Sequence, residues 1–419
     1  MPVALEYLSH VQSAAIGIWI KAGAVDETPM TGAGEGGEAG KWEVVPGISH
    51  FAEHMMFKGT EKRSAKEIAE DIDRTGGIIN AFTGEEATCY HVKTLSSHIG
   101  TAVGVLSDMI LNSVFEEAEI EKEKGVIIEE INMNEDSPED IGQDLIMETV
   151  FKDTSLGNRV IGSKESVLSI SRDDIRSYVG SRYVTENSLI SVAGKFDEAE
   201  LMGLLEASFG AMPKGSAGRI HEDSPHLPKF LPKRKDIEQS HIFLGRRGVR
   251  LLSDDFYAFQ LYSSILGGSM SSRLFQAVRE EKGLAYSVFS ASSAYKNGGL
   301  FFIYAGVGFG HEKEAFDAIS QEMETLAKGG AEEGELSKVK EQYKGHYIFG
   351  LENVTSRMFA TGRNMLILGR TISPEEVMEG IDAVSGDRIR AIASEYRDIQ
   401  DYSKVVISGS EMKETEFAS

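Results

Sequence analysis

The second half of this 419-residue chain is a worn copy of the first. Ser171-Arg172-Asp173-Asp174-Ile175-Arg176 returns as Ser385-Gly386-Asp387-Arg388-Ile389-Arg390, an offset of 214, and Glu116-Glu117-Ala118-Glu119-Ile120 returns as Glu332-Glu333-Gly334-Glu335-Leu336, an offset of 216. Two matches in nearly constant register mean a tandem duplication, and each copy is long enough to bury its own core. Between the copies, Pro225, Pro228 and Pro232 crowd into residues 221–241 together with Lys233-Arg234-Lys235. Proline and charge at that density read as a linker. The expected organisation is therefore one domain over 1–220, a linker over 221–241 and a second domain over 242–419.

Within the first copy, strand and helix patterns alternate. Ala14 to Lys21 is β-branched and aromatic enough for a buried strand. A short helix is expected from Ile48 to Phe57, with Gly59 as its left-handed cap. Ser64 caps a second helix that runs to Thr75 and places Ile68, Ala69 and Ile72 on one face. Ile78–Thr83 and Thr88–Thr94, joined by Gly84-Glu85-Glu86, read as a hairpin. An acidic helix follows from about Glu116 to Asn134. This mixture predicts an α+β class. Gly32, Gly34 and Gly37 formally match a dinucleotide-binding fingerprint, but no periodic helix opens after them and Glu35 and Glu38 would repel a pyrophosphate, so the segment reads as a loop.

Composition removes several function classes. A net charge of −23 argues against nucleic acid or an anionic membrane as the main partner. Cys89 is the sole cysteine, which forbids an intramolecular disulfide and gives little support to a redox or cysteine enzyme. Met1 to His10 lacks a basic segment followed by an apolar core, and no run approaches the ~18 apolar residues of a membrane span. A cytoplasmic protein with no membrane insertion is expected.

The chemistry is concentrated in His50-Phe51-Ala52-Glu53-His54. On a helix, His50 and His54 sit one turn apart on one face, where two imidazoles can grip one metal ion. Glu53 projects beside it. Two His, a carboxylate and an open position make a catalytic zinc arrangement, and a glutamate beside it can take a proton from water. The order H-x-x-E-H is the inverzincin motif. Composition alone yields about 0.04 such matches in a chain of this kind, so the context must carry the reading. Glu123 and Glu130, seven apart on the acidic helix, lie on one face, and one of them could complete the ligand set; by spacing alone two solvated helix charges are the commoner outcome. The second copy has no such motif. If Ile78–Thr83 is an edge strand, it can accept an extended peptide at Asn80 and Ala81.

Taken together, these residues resemble the pitrilysin/insulinase family of zinc peptidases, in particular its short, processing-peptidase-like branch. The resemblance spans nearly the whole chain. It rests on His50 to Thr60, on Gly76-Gly77-Ile78-Ile79-Asn80-Ala81-Phe82-Thr83, on Glu123 to Glu130, and on Val278-Arg279-Glu280-Glu281-Lys282-Gly283-Leu284-Ala285-Tyr286. It implies two structurally similar tandem α/β-sandwich domains, mostly antiparallel, with helices packed on one face. It further implies that His50, His54 and Glu130 hold one zinc per chain, that Glu53 is the general base, and that Glu123 orients a ligand His. Asn80 and Ala81 would pair with the substrate as an added strand, and Arg279 and Tyr286 would bind the substrate backbone or the developing oxyanion. Short members close as two chains around a chamber, so a homodimer, or a heterodimer with a related chain, is expected, with Arg279 and Tyr286 serving the other chain's zinc. The expected function is a metalloendopeptidase acting on unfolded or extended peptides. The alternatives are a non-catalytic peptide-binding or structural subunit, and a non-peptidase metal hydrolase. The sequence departs from the family in a short first strand, Pro2 to Tyr7, and in a Gly-rich insertion, Thr31 to Lys41.

Overall fold

A computed structural model describes residues 1–27, 44–219, 225–251 and 253–417. The Gly-rich insertion lies outside these residues. Each copy folds around a five-stranded sheet. The first sheet comprises β1 (Val3–Tyr7), β2 (Ser13–Ile20), β3 (Ile78–Thr83), β4 (Thr88–Leu95) and β5 (Ser188–Gly194), in the order β1-β5-β2-β4-β3. The second comprises β6 (Phe230–Arg234), β7 (Gln239–Arg247), β8 (Ala285–Ala294), β9 (Gly299–Gly308) and β10 (Ser403–Ser408), in the order β6-β10-β7-β9-β8. Strand for strand the two orders are the same, as a duplication requires. Only β1 with β5 and β6 with β10 run parallel; every other pair is antiparallel. The stretch expected as a linker contains β6 and the start of β7.

The alternation of β2 shows how the layers form. Ile16, Ile18 and Ile20 enter the main core, where they meet Phe51 and Met55 from the helix Ile48–Met55 and Val103 and Leu106 from the helix Ile99–Asn112. Ala15 and Trp19 point to the opposite face, which a single further helix, Val354–Leu368, covers with Val354 and Met358. The main helical layer thus lies on one face, as expected, with one helix on the other.

That helix comes from the second copy. The chain divides into two compact units, one formed by Met1–Asn132, Asn158–His221 and Ile348–Ile372, the other by Met133–Gly157, Glu222–Tyr347 and Ser373–Ser419. Each unit takes one helix from the other copy. Pro138–Val150 packs in the second unit, where Ile141 and Ile146 meet Phe243, Tyr304 and Val405. Tyr304 donates to Glu139 on its first turn at 2.9 Å. In the first unit, Val354–Leu368 is tied by Arg357 to Glu6. The two helices begin 216 residues apart, the offset of the repeat itself, so they are equivalent elements exchanged between copies.

Glycines admit both helices. A Cβ on Gly142 would lie 2.1 Å from the Phe243 ring, and one on Gly362 would lie 2.1 Å from the indole nitrogen of Trp19, which donates to Ser191. Gly142→Ala and Gly362→Ala should therefore each lower unfolding free energy in urea by about 1–3 kcal/mol through overpacking. Gly104→Ala, with open space at the same position in the helix Ile99–Asn112, should raise it by ~0.5–1 kcal/mol.

Candidate metal centre

The helix carrying the motif, Ile48–Met55, is buried along most of its circumference. Phe51, Ala52 and Met55 are fully inside the core. Its start requires Gly47, whose φ of +89° is left-handed and whose Cβ would strike the Ile161 carbonyl at 2.9 Å. The first amides are satisfied from outside by Glu27, which accepts from Gly47 N at 2.7 Å and Ser49 N at 2.9 Å. Burial pushes the Glu27 carboxyl up to about 8 against those hydrogen bonds. Ser49 also bonds Tyr178 across 2.7 Å. With the helix held on these sides, His50 and His54 occupy its remaining face, each side chain 17% exposed.

The acidic helix, Glu117–Asp136, seats Ile120, Ile127 and Ile131 in the core and keeps Glu123 buried among them. This register turns both Glu123 and Glu130 toward the imidazoles. Glu130 Oε2 lies 3.9 Å from His50 Nε2 and 3.6 Å from His54 Nε2, and the two rings are 4.5 Å apart. Ligand atoms of His50, His54 and Glu130 all lie within 4.8 Å of one another. Donors around a tetrahedral zinc sit about 3.4 Å apart, so the set is somewhat wider than an ion needs and would close on one by a small side-chain adjustment. A second observation agrees. Glu130 Oε2 is a buried atom with no hydrogen-bond partner although it faces two ring nitrogens. His50, His54 and Glu130 therefore fit a divalent cation bound by nitrogen and oxygen.

Glu123 supports the site from behind. Its Oε1 is 2.9 Å from His54 Nδ1 and its Oε2 is 2.6 Å from Lys58 Nζ. Holding Nδ1 fixes the tautomer that leaves the His54 Nε2 lone pair for a metal. Burial would raise Glu123, but the hydrogen bonds to His54 and Lys58 outweigh it and hold the carboxyl below its usual range. Burial, reinforced by the charge of His54, pulls His50 down to about 4, so its imidazole is neutral. Burial opposes protonation of His54 too, yet Glu123 and Glu130 raise it above the ordinary value. Glu53 is buried, which lifts its pKa; its Oε2 accepts from Thr83 Oγ1 at 2.5 Å, which acts in the opposite direction.

Thr83 ends β3, and β3 is the sheet edge. Gly84 N donates to Ala87 O at 2.9 Å at the turn. The antiparallel alternation then makes Phe82–Cys89 and Asn80–His91 the bonded pairs and turns the amide and carbonyl of Ala81 outward. Asn80 Oδ1 accepts that outward amide at 2.8 Å.

The second unit holds the remaining two expected residues, side by side. Arg279 lies on a π-helical stretch, Phe275–Glu281, and Tyr286 sits at an irregularity of β8 between Ala285 and Ser287. The guanidinium carbon of Arg279 is 4.7 Å from the Phe275 ring centroid and 5.3 Å from that of Tyr286, a residue 75% exposed. Both distortions re-aim side chains from otherwise regular elements. The motif spacing did not reveal Lys58, Thr83 or Glu27. Lys58 stands four residues after His54, and Thr83 shares the strand parity of Ala81, so both left a faint signal; Glu27 left none.

Two family models match the chain, insulinase (peptidase family M16) over residues 2–164 and the M16 inactive domain over residues 169–343. The uncharacterized zinc protease YmxG of Bacillus subtilis is 39% identical over 97% of this chain and 96% of its own length. An uncharacterized zinc protease of Mycobacterium leprae is 35% identical over 93% of this chain and 86% of its own. This chain belongs to peptidase family M16, the insulinase family. The fold is shared with a crystal structure of a protease from Helicobacter pylori (TM-score 0.86, 21% identity, 97% of this chain and 96% of that one). It is also shared with a peptidase M16 inactive domain from Pseudomonas fluorescens (0.87, 16%, 98% and 96%) and with a chain of complex III from Candida albicans (0.80, 18%, 97% and 93%).

With His54 Nδ1 held by Glu123 across 2.9 Å, Glu123→Ala should weaken the binding of added zinc by about 10–100-fold, read by competition with a chromogenic chelator.

Proposed function

We propose that this chain is a zinc metalloendopeptidase that hydrolyses peptide bonds in unfolded or extended peptides, binding one zinc through His50, His54 and Glu130. The observation that carries the reading is the convergence of these three donors with Glu53 hydrogen-bonded beside them. Bound zinc supplies a Lewis acid and lowers the pKa of a water to about 7. Glu53 takes the proton of the attacking water and returns it to the leaving amine nitrogen. Its burial, which favours the protonated form, suits a group that must carry a proton between two steps. The peptide adds to the open edge of β3, displacing Asn80 Oδ1 from the Ala81 amide, so recognition runs through the main chain more than through one side-chain pocket. Arg279 and Tyr286, supplied by a second copy or a related chain, hold the peptide backbone or the developing oxyanion inside a closed chamber.

The rival reading is a non-catalytic subunit. Residues 169–343 match a domain described as inactive, and the fold is shared with a chain of complex III. That description suits the second copy, which lacks the motif. The first copy retains the three metal donors His50, His54 and Glu130 and the base Glu53. A non-peptidase metal hydrolase would have no use for a pairing edge beside its base.

Glu53→Gln should keep about one zinc per chain and lose roughly 10²–10⁴-fold of its turnover of an internally quenched, basic, unstructured peptide. Zinc binding with no cleavage by the parent chain would favour the non-catalytic reading. For the shared site, mixing inactive Glu53→Gln chains with inactive Arg279→Ala chains should restore activity; a mixture as inactive as its components would remove the two-chain arrangement.

A further inference from the structure

The hydrogen bond that Glu53 accepts comes from the strand proposed to receive the peptide. We propose that Thr83 is a positioning residue for Glu53, fixing one carboxylate oxygen so that the other faces the attacking water. The inference rests on the peptidase reading above. Among the described residues, Thr83 is the one group whose hydrogen bond reaches Glu53, at 2.5 Å to Oε2, and Oε1 accepts none. A threonine hydroxyl has one proton to give. Thr88 donates its own proton to the carbonyl of Ala22 at 2.9 Å, so it does not compete for Glu53, and at 3.4 Å its oxygen is a much more distant acceptor for Thr83 than Glu53 is. Branching at Cβ restricts Thr83 to few rotamers, and its strand is braced from the other face. There Phe82 meets Trp19 at 5.7 Å and Phe359 at 5.4 Å, edge to face. A glutamate has three side-chain torsions to restrain. One short bond from a stiff residue on a braced strand removes much of that freedom, and misplacement of a reacting group by an ångström costs up to about 100-fold in rate.

A bond that merely fastens the strand to the helix would predict different behaviour. The test uses the full zinc-loaded chain as parent, Thr83→Val and Thr83→Ser, with zinc content, kcat and KM on the quenched peptide. It adds urea unfolding of the metal-free chain in a double-mutant cycle of Thr83→Val with Glu53→Ala. The expected result is zinc retained in both variants, kcat of Thr83→Val down by about 10–100-fold with KM within about twofold, and most of the loss recovered by serine, which restores the hydroxyl. In the metal-free cycle, Thr83→Val should destabilise the chain when Glu53 is present and much less when it is alanine. Turnover of Thr83→Val equal to the parent's, no recovery by serine, a rise in KM at unchanged kcat, or additive effects in the cycle would each overturn the proposal. A parent that cleaves nothing marks failure of the peptidase reading; the metal-free cycle then still decides whether Thr83 and Glu53 are coupled.

Discussion

Two carboxylates, two imidazoles and one oxygen of a third carboxylate are withdrawn from water within a few ångströms of one another, and their mutual electrostatics dictate the neighbouring residues. Unpaired buried charge is costly, so each group needs a specific counterpart. Glu123 lies between His54 and Lys58, Glu53 accepts from Thr83, and Glu130 is left with a buried oxygen aimed at two imidazoles. A divalent cation would satisfy this last atom and the neutral His50 together. The surrounding packing serves that arrangement: Glu27 at the start of the motif helix, Tyr178 along its side and three isoleucines under the acidic helix.

Much of this was legible in the residues because it depends on local periodicity. The i, i+4 spacing of His50 and His54, the serine cap at Ser64 and the hairpin around Gly84 are short-range patterns, and the structure realises each of them. Glu130 differs, since spacing put Glu123 and Glu130 on one face without choosing between them and composition could not separate Glu130 from Glu129; only the family resemblance singled it out. What stayed hidden depends on which surfaces meet. An amphipathic pattern shows that the helices Pro138–Val150 and Val354–Leu368 pack, but not which sheet receives them. The prolines read as a linker fall partly within β6, where Pro232 is tolerated because β6 is an edge strand with no ladder on one side.

Duplication gave the two copies equivalent edges, and both carry unusual chemistry. β3 ends the first sheet and β8 occupies the same place in the second. The first edge bears Asn80, Ala81 and Thr83; the second bears Tyr286 at an irregularity beside Arg279. An open edge invites pairing with other chains and is normally blunted. Here the Asn80 side chain covers one donor and a bulge interrupts the other edge. The same positions that would otherwise be liabilities are those assigned to holding a peptide.

The exchanged helices also bear on the order in which the molecule can be made. Trp19 is synthesised long before the helix that covers it, Val354–Leu368. The first sheet is complete at Gly194 and must wait with one apolar face open until Leu368, 174 residues later, a long-range closure of the kind that slows folding and exposes intermediates to aggregation. Neither copy is an autonomous module, and a gene split at the repeat boundary would encode two fragments that complete one another only by reassociating.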